Sequence, residues 1–213
     1  MPDYLTLTAP AEAEFTIQRS RFITHTFPIT TEEAAQAAIK SIKKQYFDAR
    51  HNCSAFRLGN SGAIQRSNDD GEPSGTAGAP ILEAIIRNDL TDILIVVTRY
   101  FGGIKLGAGG LTRAYSHAAM LGINASPLAK SVLFERWAVT VPYPLLGSLE
   151  NYLRQKNVRM EDSLYAEKVT LKLLLEPTNA QTTITDMINL TAAVASCEKE
   201  TELVLQVPLE KNE

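Results

Sequence analysis

Glycine, arginine and lysine residues are concentrated between residues 98 and 113, in a stretch suited to binding an anion. An apolar, β-branched run at 93–97 precedes this stretch, and apolar residues recur at helical spacing after it. A helix that begins directly after a glycine loop presents free N–H groups and the positive end of its dipole. The alternative is a tight strand-to-helix connection whose glycines serve only packing. We predict a phosphate-binding loop that uses Arg99, Lys105, Gly107, Gly109, Gly110 and Arg113.

The glycine loop does not match an established nucleotide motif. A Walker A motif is absent from the sequence, and Thr112 stands where a dinucleotide fingerprint needs its third glycine. Tyr100 and Phe101 lie beside the loop and are candidates for stacking on a base, with packing at the strand end as the alternative. The pattern therefore predicts phosphate binding without identifying a nucleotide.

A second polar loop carries several carboxylates. Its candidate residues for contact with a partner are Asp69, Asp70, Glu72 and Ser74. Three carboxylates can hold Mg²⁺ with the help of waters or phosphate. However, Asp, Gly and Pro are ordinary turn residues, and neither EF-hand nor zinc spacing is present. We predict no metal site and no cofactor, and interpret the loop as a contact for a basic partner or a metal-bridged phosphate.

The histidines show no spacing typical of metal ligands. His51 begins the predicted strand at 51–58 and is the only histidine that we expect near the two loops, whereas His25 and His117 are predicted to be surface residues. Ser74 misses the G-x-S-x-G elbow by one position. No geometry supports a triad with His51 and Asp70, and we predict no catalytic residue.

Composition and charge narrow the functional class. The 213 residues are 45% hydrophobic and 21% charged, which is typical of a soluble globular protein. Neither a membrane-spanning run nor the basic and apolar segments of a signal peptide occur, and Cys53 and Cys197 suit packed thiols of a reducing compartment. We therefore expect a cytoplasmic protein with no membrane partner.

The distribution of charge favours the first half of the chain for phosphate contact. Residues 1–135 contain 13 Lys and Arg against 13 Asp and Glu, whereas residues 136–213 contain 8 against 11. Lys168 and Lys172 share a predicted strand face in the second half, and two lysines are more typical of a solvated face than of a nucleic-acid site.

Hydrophobic periodicity divides the chain into two element series. The first begins with a loose arm at 1–13 and a long strand at 14–27, and then reads as α-β-β-α-β-α. The second reads β-α-β-β-α-β, the order of a ferredoxin-like split βαβ. The resulting domains are 1–133 and 134–213. We expect the loops at 69–76 and 98–110 to meet in one cleft of the first domain, because each lies at a strand or hairpin end of the same sheet.

Three sequence blocks together resemble the IMPACT family, in particular its bacterial YigZ-like branch. These blocks are RHNC at 50–53, DDGEPSGTAG at 69–78 and TRYFGGIKLGAGGL at 98–111. The resemblance implies an α+β protein of two domains. The first would be a ribosomal-protein/GHMP-kinase-like two-layer α/β domain with a left-handed βαβ crossover. The second would be a ferredoxin-like α/β sandwich similar to the last domain of elongation factor G.

The resemblance also bears on function. Eukaryotic members of the family act in translational control by binding a regulator of a kinase pathway, and the bacterial members have no settled activity. The paired serines of the GHMP-kinase phosphate motif are absent here. We expect a non-enzymatic, translation-related regulator that binds RNA, the ribosome or a ribosome-associated protein through the first-domain loops. The alternatives are a Mg²⁺-dependent phosphotransferase or hydrolase in the same cleft and a purely protein-binding adaptor.

Overall fold

The computed structural model describes residues 4–59 and 61–209, and it divides the chain into two compact units. The first unit runs to Ser131 and also includes the segment from Gln206, and the second unit is Val132–Leu205. Both units mix helices and strands, which confirms the α+β class. In the described ranges, no helix combines the length and the apolar character needed to span a membrane.

The first unit is built on a five-stranded antiparallel sheet. Its strands are β2 (Ala11–Ile17), β3 (Ser20–Pro28), β4 (His51–Leu58), β5 (Ile64–Asn68) and β6 (Ile93–Tyr100). The sheet order is β2-β3-β6-β4-β5, with β6 at the centre. The helices of the unit are α1 (Glu32–Gln45), α2 (Gly78–Arg87) and α3 (Gly107–Ala125). The predicted hairpin at 51–69 is therefore confirmed as β4 and β5.

The prediction of a loose arm before residue 14 is wrong. Residues Tyr4–Leu7 form β1, which pairs antiparallel with the start of β7 (Leu128–Val141), and Leu7 is fully buried. The predicted strand at 14–27 is in fact the β2–β3 hairpin, whose turn residues Gln18 and Arg19 have positive φ angles of 44° and 63°. Neither turn residue is Gly, Asn or Asp, so the composition did not signal the turn.

Helices cover both faces of the first sheet. Ile93, Ile95 and Val97 of β6 belong to the core formed with α2 and α3, whereas Leu94 and Val96 belong to the core formed with α1. Alternate side chains of a strand point to opposite faces, so β6 is enclosed on both sides. The expected two-layer arrangement thus describes one face only, and α1 adds a third layer.

The second unit has the predicted β-α-β-β-α-β order. After β7 come α4 (Tyr143–Gln155), β8 (Arg159–Tyr165), β9 (Val169–Leu175), α5 (Pro177–Leu190) and β10 (Ser196–Pro208). Strand β7 pairs with β9 and β10, and β9 pairs with β8. The alternating residues of β9, such as Leu171 and Leu173, are buried with Leu149 of α4 and Ile184 of α5.

Candidate functional site

The loops at 69–76 and 98–110 meet at one cavity of about 400 Å³ in the first unit, as the sequence predicts. The residues that line it are Arg50, His51, Glu72, Pro73, Arg99, Phe101, Lys105, Leu106, Gly107, Ala108 and Leu111. Arg50 and Lys105 are exposed, and neither has an ion pair or side-chain hydrogen bond within the described ranges. The cavity therefore combines two uncompensated cations with an apolar wall.

A buried ion pair underlies the cavity. The Nη1 group of Arg99 donates to Oε1 of Glu72 at 2.6 Å, and the two side chains are only 5% and 4% exposed. The Tyr115 hydroxyl donates to the same oxygen at 2.9 Å, and Arg99 Nη2 donates to Ser20 Oγ at 3.4 Å. The charge of Arg99, which the sequence suggests for phosphate contact, is thus compensated by Glu72.

The Asp69 carboxylate holds its own loop and the start of α2. It accepts backbone N–H groups from Gly75 at 2.8 Å, Ala77 at 3.0 Å and Gly78 at 2.8 Å. Burial acts to raise the pKa of Asp69, but the three backbone donors favour the anion and leave the pKa below its usual value. Asp69 takes the role of the helix cap that the Ala77 side chain cannot supply.

Asp70 is also engaged by the protein. Its carboxylate accepts the Asn52 backbone N–H at 2.7 Å and the Lys43 ammonium at 2.5 Å, while its carbonyl oxygen lies 2.9 Å from Nδ1 of His51. Ser74 is exposed and does not line the cavity. No group of three His, Cys, Asp or Glu side chains suited to a metal ion occurs in the part of the chain that the structure describes.

Helix α3 begins at the glycine loop, and its N-terminal end, which has no side-chain cap, forms part of the cavity lining. Gly107 has a φ of +71°, and Leu106 before it supplies no side-chain hydrogen bond. The first turn contains no acidic residue, and a Cβ on Gly109 would meet no atom within 4 Å. The first N–H groups of a helix have no partner within it, so this end is open to water or an anion.

The remaining sequence candidates separate into those at the cavity and those away from it. Phe101 lines the cavity and is 42% exposed, whereas the Tyr100 hydroxyl donates to Asp48 at 2.7 Å and Tyr100 is not a lining residue. Gly109 and Gly110 lie in the first turn of α3, and Arg113 is exposed further along the helix, outside the lining. Only Phe101 of the two stacking candidates is therefore available to a ligand in the cavity.

Sequence reasoning missed Arg50 and the buried hydroxyl of Tyr115 as parts of this region. The Tyr115 hydroxyl lies 3.3 Å from the Cys53 thiol, which is 3.0 Å from the Asp69 carbonyl oxygen. Burial raises the pKa of Cys53 to about 12, so the thiol stays protonated and packs beneath the loop. The helical spacing of Tyr115 after Leu111 marks it as a core residue, and spacing alone does not reveal its polar contact.

Two family models match separate parts of the chain. Residues 18–123 match the model described as the Impact N-terminal domain, and residues 139–193 match a domain of unknown function, DUF1949. The first match includes the loops at 69–76 and 98–110. The cavity therefore belongs to the part of the chain that is similar to the Impact N-terminal domain.

Similar proteins occur in bacteria and eukaryotes. The IMPACT family member YvyE of Bacillus subtilis is 44% identical over 173 residues, which is 81% of this chain and 80% of that protein. YigZ of Escherichia coli is 33% identical over 177 residues, or 82% of this chain and 87% of its own length. The Dictyostelium discoideum IMPACT homolog is 36% identical over 106 residues, covering 48% of this chain and 29% of that protein.

A solved structure is similar along nearly the whole chain. It is described as the crystal structure of an hypothetical protein, with a TM-score of 0.61 and 28% sequence identity. The alignment covers 94% of this chain and 98% of the solved one. The match carries no statement of activity.

Proposed function

The chain belongs to the IMPACT family, and from that premise we propose that it is a non-enzymatic, translation-related protein that binds RNA through the cavity between its two first-unit loops. The observation that carries the proposal is the meeting of two uncompensated cations, Arg50 and Lys105, with the uncapped end of α3. Each of these features favours negative charge. Phosphate is the anion that RNA presents, and the charge of the cavity suits it.

The lining also suits the part of a nucleotide that carries no charge. Phe101 offers an aromatic ring that is 42% exposed and has the Arg99 guanidinium 5.5 Å from its centroid, and Leu106, Leu111 and Pro73 contribute apolar surface. Aromatic side chains bind unpaired bases by stacking, with little dependence on base identity. A single-stranded segment would thus place a phosphate near Lys105 and a base near Phe101.

The contacts of the acidic loop favour binding over catalysis. Asp69 holds three backbone N–H groups, and Asp70 holds Asn52 and Lys43. A Mg²⁺-dependent phosphotransferase or hydrolase, the alternative that the sequence suggests for this cleft, would need these carboxylates to leave their partners. The carboxylates instead fix the loop that forms one wall of the cavity.

The architecture fits the folds that the family resemblance implies. We assign the first unit to the ribosomal-protein/GHMP-kinase-like group, with α1 as an added layer. The second unit, with strands in the order β8-β9-β7-β10, suits a ferredoxin-like sandwich similar to the last domain of elongation factor G. Both analogies are compatible with a protein of the translation machinery, but the proposal of an RNA partner rests on the cavity and not on the fold.

The test is a salt titration of RNA binding with two matched lysine variants. Binding of a single-stranded RNA by the wild type should weaken linearly in the logarithm of salt concentration, in proportion to the phosphates contacted. Lys105→Ala should weaken binding to all sequences alike and reduce the slope by about one phosphate contact. Lys168→Ala is the control, because Lys168 is also an exposed lysine but lies in the acidic second half.

Three outcomes would overturn the proposal. A larger effect of Lys168→Ala than of Lys105→Ala would assign the RNA to the second unit. Turnover of ATP with Mg²⁺, or a nucleotide-specific rise in melting temperature, would replace binding by a catalytic role. Such a ligand at 100 times its Kd adds about 2.7 kcal/mol of stability, which a melt resolves. Retention of a protein partner after nuclease treatment, with no measurable RNA affinity, would favour an adaptor.

A further inference from the structure

The ring of His51 is fixed so that one nitrogen faces the protein and the other has no partner. Nδ1 lies 2.9 Å from the carbonyl oxygen of Asp70, and because a carbonyl oxygen only accepts, Nδ1 must carry the proton. Nε2 lies 4.0 Å from Oε1 of Glu72, beyond hydrogen-bond distance, and has no hydrogen bond among the described residues. His51 lines the cavity. The neutral ring thus offers Nε2 as an acceptor, and the protonated ring offers it as a donor.

The charges around His51 depend on whether an anion is present. The Glu72 carboxylate lies near Nε2, but it is already paired with Arg99. Arg50 and Lys105 line the same cavity and disfavour a further positive charge. Within the described ranges, four other titratable groups surround the ring. Asp70 is paired with Lys43, Tyr115 donates its hydroxyl to Glu72, and Cys53 lies on β4 with His51. An anion in the cavity would remove the repulsion and favour uptake of a proton on Nε2.

We propose that the cavity binds the terminal phosphate of an RNA chain, with His51 taking up a proton as the phosphate binds. The inference rests on the proposed function and specifies the ligand of the same site. A phosphomonoester carries a charge of about −1.5 to −2 at pH 7, whereas each internal phosphate of a chain carries one negative charge. Two uncompensated cations, a helix end and a protonated imidazole match the more negative group. Arg99, which is buried and lines the cavity, keeps its Nε without a partner in the described ranges.

The proposal predicts that affinity rises as the pH falls, a change that the titration of the phosphate alone cannot produce. A phosphomonoester loses negative charge as the pH falls through about 6, so its attraction to fixed cations weakens in acid. An imidazole gains its charge over the same range. A terminal phosphate that binds more tightly at lower pH therefore reports protonation of the protein.

The experiment compares two oligonucleotides of one sequence, one with a 5′-phosphate and one with a 5′-hydroxyl, at pH 8 and pH 6 and at fixed salt. For the wild type we expect the phosphorylated strand to bind more tightly. Its advantage should grow by about tenfold from pH 8 to pH 6, the size of one charge-assisted hydrogen bond. Calorimetry in two buffers of different ionisation enthalpy should show net proton uptake on binding.

Two histidine variants isolate the effect. His51→Asn keeps an N–H donor near the position of Nδ1 and removes Nε2. In this variant the preference for the 5′-phosphorylated strand should therefore no longer increase from pH 8 to pH 6. His117→Gln is the matched control, because His117 is exposed on α3 outside the lining and packs edge-on against Phe15. This variant should behave as the wild type. Melting curves of both variants establish that they are folded.

Failure of this inference differs from failure of the proposed function. Equal binding of the two oligonucleotides, with no pH-dependent difference, would overturn the terminal-phosphate site while leaving RNA binding intact. A pH-dependent advantage that persists in His51→Asn would assign the proton to another group and overturn the role of His51. The absence of RNA binding at any pH would overturn both.

Discussion

At the scale of single residues, Glu72 is the side chain beneath the cavity whose loss we expect to destabilise the fold. Its carboxylate compensates the buried charge of Arg99 and accepts the hydroxyl of Tyr115. Removing one partner of a buried ion pair leaves an uncompensated charge in a medium of low polarity, which costs about 3–5 kcal/mol. We predict that Glu72→Ala lowers the free energy of unfolding by about that amount, measured by urea denaturation.

The control for this prediction is an ion pair at the surface. Glu14 accepts a bidentate contact from Arg21, but both side chains are largely solvated. Exposed pairs contribute little, because water screens them and the long side chains lose entropy. Glu14→Ala should therefore change the stability far less than Glu72→Ala. Equal effects of the two substitutions would contradict the importance assigned to the buried pair.

His25 differs from the sequence expectation of a surface residue. It is 7% exposed, its Nε2 lies 3.1 Å from the Tyr46 hydroxyl, and Glu12 approaches its other ring nitrogen at 3.5 Å. Burial lowers the pKa of His25 below its usual value, and Glu12 opposes this shift only in part. The unfolded chain therefore binds the proton more readily than the folded chain does.

This pKa difference predicts a loss of stability in mild acid. Folding stability should fall as the pH drops below the unfolded value of about 6.5, with the loss complete below the lowered folded value. His25→Gln, which cannot titrate, should show a smaller loss between pH 7 and pH 5 in urea denaturation. His117→Gln, at an exposed position, should follow the wild type. An unchanged pH dependence in His25→Gln would contradict the prediction.

At the scale of elements, the first turn of α3 contains glycines with different structural requirements. Gly109 has open space at the Cβ position, whereas Gly107 has a φ of +71° that disfavours any residue with a Cβ. Gly109→Ala should raise the free energy of unfolding by about 0.5–1 kcal/mol. Gly107→Ala should lower it by about 1–2 kcal/mol.

The same pair of variants links stability to ligand binding. If a phosphate approaches the backbone of this turn, the methyl group of Gly109→Ala will obstruct it, and the more stable variant will bind RNA less tightly. Urea denaturation and RNA titration of both variants test this. A Gly109→Ala protein that is stabilised and binds as the wild type does would show that the phosphate lies elsewhere.

The cations of the second-unit sheet are largely compensated by neighbouring carboxylates. Arg136 contacts Glu161 through two hydrogen bonds, and Lys172 pairs with Glu200. An RNA phosphate would have to compete with these carboxylates. Each pair joins two strands of the sheet across an intervening strand. This compensation gives a physical reason for expecting little phosphate binding at this sheet.

Helices and strands could be predicted where burial of one face leaves a regular apolar pattern in the sequence. The alternation of Val169, Leu171 and Leu173 identified β9 and its buried face, because a half-buried strand needs that pattern. The β2–β3 turn was missed, because Gln18 and Arg19 adopt positive φ angles without the residues that normally favour them. Local composition carries no signal for a turn that the flanking strand pairing imposes.

At the scale of the whole molecule, the candidate site could be predicted in outline and not in its contacts. The glycine pattern located the start of α3, and sheet topology brought the two loops together. The sequence could not reveal that Glu72 pairs with Arg99, because 27 residues separate them and only the tertiary fold brings them together. Which cations stay uncompensated is likewise a property of the folded chain.

The sheet order has a consequence for the growing chain on the ribosome. β6 lies between β3 and β4, yet it is the last of the five strands to be synthesised. A nascent chain that ends at Asp92 contains the β2–β3 and β4–β5 hairpins but lacks β6, the strand that pairs with both, so β3 and β4 each have an unpaired edge. Because non-local pairing must wait for its partner, we expect arrested chains to resist protease only once α3 has emerged. Protection of chains arrested at Asp92 would contradict this order. Until β6 has been synthesised, the unpaired edges of β3 and β4 are open to association with other nascent chains.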